Sequence, residues 1–317
     1  LQKLSGKKGD FMREEVYKLK GYEGVSLHVY KWIPENADIK GIVQIAHGMA
    51  EHGARYRYFA EKLCDNGYIV YANDHRGHGK TAEKTEELGY LGQGDGFSSM
   101  VQDLYEVNKF IIQDKGEVPL ILFGHSMGSF ISQRYIQLYG DTVDKVVLCG
   151  SNGPVNFMAD IGILISGLQM KVKGPKAKSP LMDKLSFGNY NNHFKPTRTP
   201  SDWLSSDEKE VQKYIDDPYC GFICTTSFYH SLLKGLKVRQ KKENINKVPK
   251  ELPILLISGS EDPVGEFSQG VKRLYNLYVQ AGIKNIEINL YEKGRHEILN
   301  EVNKDEVIED IITWLHS

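Results

Sequence analysis

Pro119-Leu120-Ile121-Leu122-Phe123-Gly124-His125-Ser126-Met127-Gly128 passes from a short apolar run into a glycine-flanked serine, and a helical pattern follows at once over Met127–Tyr139. An apolar run this short, bounded by turn residues, reads as a strand buried on both faces. G-x-S-x-G between a strand and a helix sets the serine at the tip of a sharp turn. Side chains at 124 or 128 would collide with neighbouring elements, so glycine stands there. The Ser126 hydroxyl is thereby lifted clear of the sheet, with a helix N-terminus beneath it.

Outward from this turn the same alternation repeats. Gly41–Ala46 and Tyr68–Ala72 precede it and Lys145–Cys149 follows, with helical patterns around Tyr58–Leu63 and Met100–Ile112 between them. The pattern pauses at Ser151. It resumes with strand Pro253–Ile257, helix Phe267–Gln280, strand Ile286–Leu290 and helix Asp305–Trp314. Near the start, Glu15–Leu19 and Val25–Tyr30 alternate in period two around a Gly21/Gly24 turn and stop at Pro34, which reads as an antiparallel hairpin. An α/β protein with a mostly parallel, doubly wound sheet is expected. Residues 151–245 hold six prolines (154, 175, 180, 196, 200 and 218), several helical patterns and no clear strand. They read as a helical cap inserted into a core made of 1–150 and 246–317.

The 317 residues carry 40 Lys+Arg against 41 Asp+Glu, a formal charge of −1, which argues against a dedicated nucleic-acid binder. Cys64, Cys149, Cys220 and Cys224 lack zinc-type spacing and read as reduced thiols. Leu1–Phe11 is polar and Lys/Gly-rich, and no run of 18 apolar residues occurs, so a cytoplasmic setting is expected.

A serine at its free pKa needs a base, and the base needs an orienting acid. In this fold the order is Ser, acid, His. Asp262 follows the Ile254–Ile257 strand, with Pro263 fixing the backbone beside it and Glu261 as runner-up; His296 follows the next strand. His193, His230 and His316 fit neither order nor position. Two backbone N–H groups must face the developing oxyanion: Met127, after the nucleophile, and Met49, in the His47–Gly53 loop after the first parallel strand. His47, His52, His75 and His78 are expected to brace loops by hydrogen bonds and not to hold a metal, and no cofactor is required.

His47-Gly48-Met49-Ala50-Glu51-His52 with Arg55-Tyr56, Asn73-Asp74-His75-Arg76-Gly77-His78-Gly79, and Gly124-His125-Ser126-Met127-Gly128 together resemble the monoacylglycerol lipase and lysophospholipase group of serine α/β-hydrolases. Asp216-Asp217-Pro218-Tyr219-Cys220 resembles the cap of that group, and the likeness runs from about Val16 to Trp314. The resemblance implies an α/β-hydrolase fold, a lid-like cap and hydrolysis of a small-molecule acyl ester through an acyl-enzyme. Met49 stands where members usually carry a small residue, Ser129 where they carry Gly, and Leu299 where animal members carry a further histidine. Within the cap, Phe157, Ile161, Leu164, Ile165 and Leu168 form one apolar helical face, followed by Lys171, Lys173, Lys176 and Lys178. That face would line an acyl tunnel or touch a membrane surface. Glu51 and Arg55 would hold a polar head group or pair with each other. An aminopeptidase of the same fold is the rival enzyme, with Asp207, Glu208 and Glu210 as its amino-group ligands. A catalytically silent ligand-binding protein is the rival outside enzymes.

Overall fold

The computed structural model describes residues 1–8, 12–35 and 37–317, so the 9–11 end of the polar N-terminal stretch lies outside the described residues. Nine strands form one sheet: β1 (Gln2–Lys8), β2 (Met12–Lys20), β3 (Ser26–Pro34), β4 (Gly41–Ala46), β5 (Tyr68–Asn73), β6 (Leu120–His125), β7 (Lys145–Cys149), β8 (Ile254–Gly259) and β9 (Ile286–Tyr291). Their spatial order is β1-β2-β3-β5-β4-β6-β7-β8-β9. β1, β2 and β3 pair antiparallel, as do β3 and β5; every pairing from β5 through β9 is parallel. The helices are α1 (Arg57–Asp65), α2 (Gly96–Asp114), α3 (Met127–Tyr139), α4 (Met158–Lys173), α5 (Pro180–Phe187), α6 (Glu208–Asp216), α7 (Thr226–Arg239), α8 (Lys242–Ile245), α9 (Gln269–Gln280) and α10 (Lys304–His316).

Period-two alternation splits each central strand between two cores. Ile42, Leu120, Leu122, Val146, Leu148, Ile254 and Leu256 face α2, α3 and α9, whose Leu104, Ile131 and Leu274 complete that layer. Val43, Ile45, Ile121, Phe123, Val147, Leu255 and Ile257 face α1 and α10, with Phe59, Leu63, Ile308 and Ile311. Both faces are covered, which is why these strands read as unbroken apolar runs. β1 was not expected. It pairs with β2 from Gln2 opposite Lys18, yet Leu1–Leu4 are exposed, so its first residues show no buried face.

β4 pairs with β5 on one side and β6 on the other. The direction of sheet growth therefore reverses at β4, and a crevice opens at the carboxyl ends of β4 and β6. The His47–Gly53 loop and Ser126 both emerge there. α4–α8 run between β7 and β8.

Candidate active site

Ser126 adopts φ 52° and ψ −119°, a left-handed conformation that costs a non-glycine residue about 1–3 kcal/mol. Its surroundings hold it there. Its N–H donates to Cys149 O (2.9 Å), and its carbonyl accepts from Ser129 Oγ (2.6 Å). A β-carbon on Gly128 would overlap the Ala46 carbonyl, and one on Gly124 would stand 2.6 Å from Gly128 O. The two glycines let β4, β6 and α3 close around the turn.

Asp262 leaves the end of β8 fully buried. Its Oδ1 lies 2.9 Å from His296 Nδ1 and accepts the Val264 N–H at 2.8 Å, while Oδ2 accepts Ser258 Oγ at 3.2 Å. A carboxylate at Nδ1 fixes the proton there and leaves the Nε2 lone pair available as a base. Ser126 and His296 line one cavity of about 200 Å³. No hydrogen bond joins Ser126 Oγ to His296, and in unliganded hydrolytic sites that bond commonly tightens only when substrate enters. Met49 lines the cavity too, and neither its N–H nor that of Met127 has another acceptor. Phe187, Trp203, Leu204, Tyr214 and Phe222 supply much of the apolar wall, with the Asp183 carboxylate among them. The Trp203 ring stands 5.1 Å from that of His296, centroid to centroid.

Beneath the cavity lies a buried ionic network. Glu51 accepts from Gly48 N–H (2.6 Å), Tyr56 OH (2.9 Å) and Arg55 Nη1 (2.7 Å), and faces His125 Nδ1 at 3.1 Å. Arg55 also grips Glu297 through two bonds. Both ring nitrogens of His125 face acceptors, Glu51 and the His296 carbonyl (3.3 Å), which favours the imidazolium. Burial pushes its pKa down, but the hydrogen bond and charge of Glu51 outweigh this and raise it. Burial likewise pushes Glu51 up, and His125 and Arg55 together hold it well below the ordinary carboxylate range. With His125 protonated, the four side chains sum to zero charge.

Other expected residues fall elsewhere. Glu51 lines the Ser126 cavity, but Arg55 does not, and both spend their charges within this network. Ile161, Leu164, Ile165 and Leu168, expected to line an acyl tunnel, are not among the residues that line this cavity. Ile165 packs inward, whereas Ile161, Leu164 and Leu168 are 41%, 64% and 53% exposed, because α4 rests on α7 by its opposite side. Asp207 caps α6, Glu210 pairs with Lys304 and Lys213, and no residue of this acidic group lines the cavity. His47, His75 and His78 are fully buried around one another, with His47 Nε2 accepting the His75 N–H at 2.9 Å. Glu297, Asp183 and the position of Trp203 escaped the sequence reading. Glu297 carried one available signal, its place directly after the expected base.

A family model described as serine aminopeptidase, S33, matches residues 37–303. The chain belongs to this family. A monoacylglycerol lipase of Mycolicibacterium smegmatis is 27% identical to it over 94% of this chain and 95% of that protein. The monoglyceride lipase of Rattus norvegicus is 27% identical over 92% and 88%. A thermostable carboxyl esterase from Bacillus coagulans, solved with glycerol, superposes with a TM-score of 0.88 at 28% identity, covering 96% of this chain and 98% of that one. The α/β-hydrolase fold and the resemblance to monoacylglycerol lipases read from the motifs are both found again here.

Proposed function

We propose that this protein is a serine hydrolase that cleaves the carboxylic ester of a single-chain acyl lipid, a monoacylglycerol or a lysophospholipid, through an acyl-enzyme. Ser126 Oγ attacks the ester carbonyl while His296 Nε2 takes its proton. Asp262 holds the imidazole and stabilises its charged form. The Met49 and Met127 N–H groups receive the oxyanion. His296 then protonates the departing alcohol, and water repeats the cycle on the acyl-enzyme. The observation that carries this is the shared cavity: strained serine, carboxylate-bound histidine and Met49 beside an apolar wall. The M. smegmatis and rat relatives are named as lipases of this substrate class, which supports the reading. Fluorophosphonate labelling of the chain, lost in Ser126→Ala, tests the nucleophile. A panel of monoacylglycerols, lysophosphatidylcholines and p-nitrophenyl esters of graded length tests the substrate. An aminoacyl-nitroanilide cleaved faster than every ester would favour peptidase action, as the family description does.

Residues 151–245 act in this proposal as the cap over the cavity, and its outer face as a lipid contact. Leu164, Leu168 and Val172 are exposed on α4 and Phe157 just before it, Leu181 and Leu185 are exposed on α5, and Lys171 and Lys173 lie in the last turn of α4. Apolar side chains beside lysines suit the interface of an anionic bilayer. Among the described residues no helix is long and apolar enough to cross a membrane. Co-sedimentation with anionic vesicles, weakened in a Leu164→Glu/Leu168→Glu variant, tests the contact; equal binding by that variant rejects it.

A further inference from the structure

Where the insertion meets the loop that carries Met49, three metal-ligating side chains from distant parts of the chain converge. His52 Nε2 lies 3.0 Å from Asp217 Oδ2, and the Cys220 thiol stands with them so that all three donor atoms lie within 4.8 Å of one another. We propose that His52, Asp217 and Cys220 form a binding site for a divalent transition-metal ion of the zinc class, clamping the insertion to the core beside the oxyanion loop.

The donor set fits that class. Imidazole, carboxylate and thiolate are the three zinc-ligating side-chain types, and three protein ligands with one open position is a common zinc arrangement. Two ligands on a tetrahedral zinc stand about 3.5 Å apart. The widest separation here must therefore close by about 1 Å, a distance that rotation of a cysteine side chain covers. Deprotonated Cys220, ionised Asp217 and neutral His52 balance a divalent ion with no charge left over.

The frame around the donors is already built. Asp217 Oδ1 accepts the Tyr219 N–H at 2.8 Å, which turns Oδ2 toward His52. The Cys220 N–H donates to Asp217 O at 3.0 Å, holding the two insertion ligands in one turn. The Gly221 N–H donates to Ala50 O at 3.0 Å, tying that turn to the loop that carries His52. Outer hydrogen bonds of this kind orient metal ligands. Arg55, the nearby cation, is neutralised by Glu51 and Glu297. The thiol must lose its proton against burial, so binding strengthens as pH rises.

The site borders the cavity without belonging to the reaction. Gly221 and Phe222, next to Cys220, line the Ser126 cavity, as does Met49. An ion on these ligands fixes the wall against the oxyanion loop.

Titration of the full-length protein with Zn²⁺ should give one site per chain, with affinity falling at least tenfold in Cys220→Ser and in His52→Gln. Zn²⁺ should raise the melting temperature of the parent and leave that of Cys220→Ser unchanged. Co²⁺ added to the unaltered protein should produce a thiolate-to-cobalt charge-transfer band, which needs no variant to fold. Cobalt bound without that band, or zinc affinity equal in parent and Cys220→Ser, overturns the proposal.

Discussion

Arg55 holds Glu297, the residue beside His296, through two bonds of 2.7 Å each. The bidentate pair reaches from the loop after β4 to the loop after β9 and so fixes the backbone that presents His296. Glu297→Gln leaves Arg55 half-paired and buried. Loss of one partner of a buried pair costs about 3–5 kcal/mol, so its urea midpoint should fall sharply, and more than in the Arg55→Met/Glu297→Leu double variant.

His125 and Glu51 should impress a pH dependence on stability. The His125 pKa is raised in the folded protein, so its contribution is complete below about pH 6.5 and fades as pH climbs through the folded value. That of Glu51 is lowered, so its contribution is complete above about pH 4.5 and is lost as pH falls through the folded value. The stability advantage of the parent over His125→Gln should therefore be largest between those limits. Urea unfolding from pH 4 to 9 measures it.

The histidine cluster works in the opposite sense. Burial holds His75 down at about 3 and His78 at about 4. The unfolded chain takes up protons first as pH falls below about 6.5, so these residues make the fold acid-sensitive. Neither ring nitrogen of His75 has a partner, so His75→Phe forfeits no hydrogen bond. It should flatten the acid limb of the stability curve by roughly one proton.

Gly128→Ala should disrupt the turn at Ser126. The added methyl meets the carbonyls of Ala46 and His47, both main chain, and neither can yield without moving β4. A loss of about 3 kcal/mol or more in unfolding free energy, with fluorophosphonate labelling abolished, is the expected result.

Trp203→Ala should enlarge the cavity and free the face of His296. Preference in the ester panel should shift toward bulkier acyl groups and kcat should fall. Unchanged acyl preference would remove Trp203 from the specificity wall.

The central strands were legible because burial on both faces leaves continuous apolar runs, and the turn at Ser126 because its glycines answer steric demands within a few residues. Long-range pairings leave no such mark. Arg55 with Glu297, His52 with Asp217, and Trp203 over His296 join segments that carry no local signal of each other. The apolar stripe on α4 was visible, but periodicity alone does not say whether such a stripe faces a cavity or solvent. β1 went unread because Gln2, Lys3 and Leu4, at its start, are exposed.

The Trp203 and Leu204 carbonyls accept the backbone N–H groups of His296 and Glu297, at 3.5 and 2.7 Å. The insertion is thus stitched to the loop that bears His296. Lifting the insertion from the core at this seam would break both bonds, so in the proposed reaction the entry of substrate and the placement of the His296 imidazole would share one mechanical coordinate.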